Sequence, residues 1–257
     1  MEILLSISLY FVRSDYHFSL SASESDKEGT FCVKVLSIQF LTRIVEVLLE
    51  VVRDSGSGFS SFTLDLFSRC KVQRIALHCL LSHVYTLSCE EQQVYFADQS
   101  SSRGTSNNIL NCTSQDRKTF DVQKHLLRLM KSLIFLEERI GLEKYEQPLS
   151  DAKSKTRASK DRKFKGYQRS LSTAFEYAVG KPIASQPMLL AVILSAIREE
   201  KWFHFHHVWI SFVISILPKS GVSLPKIAVA VADQISLNLK NITSLFCHSI
   251  TGKLSSR

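Results

Sequence analysis

Ser185 and Ser223 each stand two residues ahead of a proline, Pro187 and Pro225, and each pair opens an apolar stretch. A serine hydroxyl can satisfy an orphan backbone N–H at a helix start, and proline is tolerated in the first turn. The offset of 38 residues sets Leu189 on Ile227, Leu190 on Ala228, Ile193 on Val231, Leu194 on Ala232 and Ile197 on Ile235. A third apolar helix, Trp202 to Leu217, is predicted between the two. Helices that recur at roughly forty residues and cannot bury both faces alone make a core by stacking, as in an α-solenoid of HEAT or armadillo type. The expected fold class is therefore all-α, a solenoid of HEAT/armadillo-like helical repeats with long polar insertions. Any two amphipathic helices align once their starts are matched, so the test is whether these two pack side by side.

Composition supports that class. Only 9 Gly and 5 Pro in 257 residues leave few tight turns for a barrel or sandwich, and a hydrophobic fraction of 45% argues against global disorder. The net charge of +8 is local rather than general. Asp151 to Arg169 holds eight cations (Lys153, Lys155, Arg157, Lys160, Arg162, Lys163, Lys165 and Arg169) against Asp151 and Asp161, a net +6 that leaves +2 elsewhere. Six cysteines form no C-x-x-C pair, which favours a reducing compartment.

Three parts are expected: an N-terminal helical block at 1–147 with a disordered insertion at 90–118, a basic linker at 148–169, and a C-terminal helical block at 170–257. Met1 to Val12 is apolar but lacks the basic start of a signal peptide. Ser19 to Thr30 reads as a polar linker. Helices are predicted over Phe31 to Arg53, Arg69 to Leu87 and Phe120 to Leu142, the last with Glu137-Glu138-Arg139 as a charged tail. A short helix over Ser170 to Val179 should close at Gly180, and Lys240 to Arg257 should form a weaker terminal segment. No apolar run reaches the roughly 20 residues of a spanning helix.

Little chemistry is legible. The histidines of Trp202-Phe203-His204-Phe205-His206-His207 tempt a metal reading, but no committed further ligands accompany them. Solvent-facing or carbonyl-capping imidazoles are the plainer expectation. There is no G-x-S-x-G, P-loop, G-x-G-x-x-G or H-E-x-x-H, so neither enzyme nor cofactor is expected. The basic stretch could attract a polyanion or be a solvated linker. Phe164 and Tyr167 are too few for base stacking, which leaves nucleic-acid recognition little support.

Three segments carry a family resemblance: Phe31 to Glu50, Val72-Gln73-Arg74-Ile75-Ala76-Leu77-His78-Cys79-Leu80-Leu81, and His206-His207-Val208-Trp209-Ile210-Ser211-Phe212-Val213 with Leu217-Pro218. With Ile227 to Val231 and Gln234-Ile235, they resemble the C-terminal half of Dopey family proteins. The resemblance implies a large cytosolic scaffold, peripheral on Golgi, trans-Golgi network and endosome membranes and active in vesicle traffic. It implies as partners a scaffold related to the large Arf exchange factors, and kinesin. Family members are much longer, so the resemblance implies a fragment, isoform or partial gene model. The alternative reading is a polyanion-binding protein, for nucleic acid or anionic lipid, that uses the basic linker.

Each cation near an anionic membrane contributes about 1 kcal/mol of attraction. Reversing Lys160, Arg162, Lys163 and Lys165 to Glu should therefore abolish flotation with anionic vesicles and leave helix content unchanged. Equal flotation of both proteins would return the segment to a plain linker.

Overall fold

A computed structural model of the chain describes residues 1–13, 24–55, 57–98, 114–141, 177–178 and 180–254. The described residues contain α-helices α1 (Glu2–Arg13), α2 (Glu24–Asp54), α3 (Ser57–Cys70), α4 (Val72–Asp98), α5 (Ser114–Ile140), α6 (Pro187–Arg198), α7 (His206–Ile216) and α8 (Leu224–Leu254), joined in the C-terminal part by short 3-10 turns. No strand occurs among them.

The helices form two layers. In one, α2, α5 and α7 lie in succession; in the other, α1, α4, α6 and α8 do, with α3 lying beside α1 and α4. Cross-contacts show the direction of packing. Between α2 and α5 they ascend together: Lys118 pairs with Glu28, His125 bonds Gln39 at 3.2 Å, and Arg128 bonds Glu46 at 3.0 Å. The two helices therefore run parallel. The same order joins α5 to α7, from Phe120 stacked on Phe205 to Lys219 paired with Glu138. It also joins α4 to α6, where Gln73 donates to the Lys181 carbonyl and Tyr85 Oη lies 2.7 Å from Ser195 Oγ. Parallel neighbours within a layer, linked by antiparallel steps between layers, are the signature of stacked αα-hairpins.

The 38-residue relation is part of this stack. Helices α6 and α8 pack side by side in one layer, with Leu189, Ile193, Ile227 and Val231 all in the core. α7 lies in the other layer. Ser185 works differently from the expectation, because it does not cap α6. Gln186 is the N-cap residue there, and Ser185 Oγ instead shares a 2.9 Å hydrogen bond with Ser223 Oγ. Equivalent positions of the two units thus touch each other. At the far end Asn238 Nδ2 donates to the Ile197 carbonyl at 2.7 Å, satisfying a C-terminal carbonyl of α6 from α8.

Several boundaries differ from those the sequence suggested. The presumed linker before Phe31 is helical from Glu24 onward. α3 begins at Ser57, beyond the predicted helix end at Arg53, and takes in Gly58 and several serines, residues of weak helix propensity for which no helix was expected. It forms because Leu66 and Thr63 are buried, and the Thr63 hydroxyl bonds back to the Phe59 carbonyl at 2.9 Å. Helical backbone extends into both ends of the expected 90–118 insertion, to Asp98 and from Ser114. Tyr177 and Ala178 are not helical, and the rest of the helix expected over 170–179 lies outside the described residues. Trp202 to Phe205 is a 3-10 turn rather than the start of α7, and α8 continues through Lys240 to Leu254 without a break.

One core runs through both layers, from Leu5 and Leu9 on α1 to Ile227 and Val231 on α8. A second apolar stripe on α2, of Val33, Leu36, Phe40, Val47 and Val51, is exposed, as are Ile3, Leu4, Ile7 and Tyr10 on α1. Trp209 is 1% exposed and meets the Phe212 ring edge-on. Truncating a buried tryptophan costs roughly 3–5 kcal/mol, a large share of a typical 5–15 kcal/mol stability. Trp209→Ala should lower the melting temperature sharply and increase binding of an apolar dye. His204→Ala and His207→Ala, both at exposed positions, should melt within a few degrees of the parent chain.

Candidate functional site

The eight cations from Lys153 to Arg169 all lie outside the described residues. The histidines around the start of α7 do not converge. His206 Nε2 lies 2.9 Å from the Glu199 carbonyl and His207 Nδ1 2.8 Å from the His204 carbonyl, while the His204 ring packs edge-on against Phe120. Burial and the neighbouring His204 lower the His206 pKa, and its hydrogen bond to Glu199 works against that. Among the described residues no group of three His, Cys, Asp or Glu could hold a metal ion. Nor is any described helix long and apolar enough to cross a membrane.

The most elaborate polar arrangement lies where the two predicted blocks meet. Glu137 was expected in a charged tail, but its carboxyl group is enclosed by protein. Its Oε1 accepts from Gln73 Nε2 at 2.8 Å and its Oε2 from the Ile183 backbone N–H at 2.7 Å. Gln73 Nε2 also donates to the Lys181 carbonyl at 2.9 Å, and Tyr177 donates its hydroxyl proton to Gln73 Oε1. Gln186, 1% exposed, completes the clasp. Its Oε1 accepts from Ala178 N at 2.9 Å, and its Nε2 donates to the Ala178 and Lys181 carbonyls at 2.7 and 3.0 Å. α4, α5 and the chain entering α6 are thus tied by hydrogen bonds between mostly half-buried groups.

Such enclosure changes acidity. Loss of hydration raises the Glu137 pKa to about 8, outweighing the two donated hydrogen bonds that favour the anion. Its place in the last turn of α5, at the negative end of the helix dipole, acts in the same direction. Tyr177 is pushed up to about 12, chiefly by burial and then by Glu137, with Arg74 opposing. The Arg74 guanidinium stands 6.0 Å above the Tyr177 ring.

Arg74 also lines a half-open cavity of about 600 Å³. Its walls come from the end of α1, from α2, from the α3–α4 turn and from α4. A smaller cavity of about 260 Å³ lies between α2 and α5 and carries both signs of charge, with Glu50 and Glu138 beside Arg53, Arg139 and Lys219. Neither the clasp nor the larger cavity could be found in the sequence. Gln73, Glu137 and Ile183 are far apart in the chain, and no spacing rule connects them.

Comparison with known proteins gives a consistent result. A family model described as the DOP1 TPR domain matches residues 1–257. "Protein DOP1 homolog" of Drosophila melanogaster is 29% identical over 95% of the chain and 9% of its own length. "Protein DOP1B" of Mus musculus is 26% identical over 96% of the chain and 11% of its length, and "Protein pad-1" of Caenorhabditis elegans is 25% identical over 95% and 10%. The chain thus spans about a tenth of the length of these curated relatives. No solved structure matches it.

The raised acidity of Glu137 sets a pH dependence of known sign. Between its ordinary value of 4.5 and about 8, the unfolded chain releases a proton that the folded chain keeps. Stability tied to Glu137 is therefore full below about 4.5 and is lost as pH rises through about 8. The difference in melting temperature between the parent chain and Glu137→Gln should fall steadily from pH 5 to pH 8.5. Histidine titrations are common to both proteins and cancel. A difference that stays flat would show that Glu137 ionises normally.

Proposed function

The chain belongs to the Dopey (DOP1) family, and on that premise we propose that it is a non-enzymatic helical scaffold segment acting in membrane traffic and protein transport at the Golgi and endosomes. The observation that carries this reading is the family match over all 257 residues, on a fold that is a stack of helices. Stacked helical repeats work by presenting extended surfaces to other proteins. The exposed stripe from Val33 to Val51 suits a protein that acts through contact rather than chemistry. The partners proposed are a trafficking scaffold related to the large Arf exchange factors, and kinesin. The location proposed is the cytosolic face of Golgi, trans-Golgi network and endosome membranes. The basic stretch Lys153 to Arg169 would add attraction to anionic lipid there.

A fluorescently tagged chain should concentrate on membranes that carry trans-Golgi and endosome markers, and the purified chain should retain the purified Arf-exchange-factor-related scaffold on a column. Diffuse fluorescence from a chain that melts cooperatively, together with no retention of that scaffold, would reject the proposal.

A further inference from the structure

One end of the stack has the composition of an interior. α1 buries Leu5, Leu9 and Val12, yet its opposite side leaves Ile3 73%, Tyr10 64%, Ile7 51% and Leu4 50% exposed. A helix that is apolar all round belongs between neighbours on every side. α2, packed against α1, adds the exposed Val33, Leu36, Phe40, Val47 and Val51. Their spacings of three, four, seven and four keep all five on one helix face. Gln39 and Glu46, which reach α5, stand to one side of it. α1 and α2 come first in their layers, so both apolar faces belong to the same end of the described stack.

The opposite end differs. On α8 the exposed Val229 and Leu237 alternate with Lys226, Asp233, Ser236 and Lys240. Terminal repeats stay soluble through such a polar outer face, and the α1–α2 end lacks one. Its nine apolar side chains, exposed by 39–73%, leave on the order of 900 Å² open, about what each partner buries in a standard interface. A monomer seldom exposes a contiguous apolar patch of that size.

Two charges accompany the α2 stripe. Arg43 and Glu50 are both exposed and, seven residues apart, lie along the same edge of it with Val47 between them. Within its own chain Arg43 meets Glu46 only at 3.7 Å and stays 69% exposed. A two-fold axis near Val47 would turn α2 antiparallel to its copy and bring Arg43 of each chain beside Glu50 of the other. We infer that the α1–α2 end binds a second copy of this chain, face to face about that axis. Such a contact is isologous and closes at two, because it occupies the same patch on both chains and the polar α8 end offers no continuation. A helix of another protein would cover the stripe but has no reason to return both charges. A lipid surface would leave them unpaired.

Sedimentation velocity of the full chain over a wide concentration range tests this. The average mass should climb from 29.1 kDa and level off at twice that value. Phe40→Glu and Ile7→Glu alter exposed side chains, so both should melt close to the parent temperature, yet weaken association about tenfold or more. Arg43→Glu and Glu50→Arg should each weaken it several-fold, and the variant carrying both should regain most of the loss. That recovery separates a contact between copies from a change in the fold. A chain that stays at 29.1 kDa throughout would overturn the inference, and flotation of that monomer with uncharged vesicles would give the face to lipid instead. A mass that keeps rising past two copies would overturn it as well, as would a dimer indifferent to Phe40→Glu and Ile7→Glu. So would a double charge variant that associates no better than the two single ones.

Discussion

The parallel packing of α5 against α2 decides where the other helices can lie. α5 buries Phe120, Val122, Leu126, Leu127, Leu129, Met130, Leu133, Ile134 and Leu136, too wide a set for any single neighbour to cover. Each fully buried side chain of this kind contributes about 1.5–3 kcal/mol, so leaving half of them wet would undo the fold. α2 covers one side, α4 and α7 cover others, and the chain can place three neighbours around one helix only by layering. The ion pairs along the α2–α5 seam, such as Arg128 with Glu46, are largely exposed and fix register more than they add stability.

The same crowding draws a carboxyl group inward. Glu137 is one turn from Leu133 and Ile134 on α5, so a helix buried on that side carries it toward α4 and the approach to α6. Its enclosure is tolerated because Gln73 and the Ile183 N–H supply donors, and because a raised pKa lets it stay protonated near neutrality. The hydrophobic layers hold the hairpins together without strict position along the axis. The directional bonds of Gln73, Glu137 and Gln186 fix where the chain re-enters the stack as α6.

The interior of the two layers is occupied with holding the stack, and the surfaces left over are the α2 stripe, the larger cavity beside α4 and the smaller cavity of mixed charge between α2 and α5.

By itself the sequence determined the all-α class and the core positions of most helices, because apolar periodicity is a local property written at 3.6 residues per turn. Spacing alone matches Leu189 and Ile193 to Ile227 and Val231, and it gives Trp209 an interior role through Phe212 and Val213 on the same helix face. The segments that carry the family resemblance are legible for the same reason. Other features depend on which elements become neighbours. Ser185 and Ser223 are legible as a pair, but whether a hydroxyl caps its own helix or bonds its counterpart 38 residues away is decided by how α6 and α8 approach. α3 is hidden by Gly58 and its serines, whose weak helix propensity is offset by burial of Leu66 and Thr63 in a helix packed beside α1 and α4. Glu137 looks identical to Glu138 in the chain, yet tertiary packing encloses the carboxyl group of one and leaves the other to pair with Lys219 at the surface. The larger cavity is the extreme case, since its charged and imidazole groups come from four elements. Solvation and charge proximity are set by folding in three dimensions, and no one-dimensional spacing encodes them.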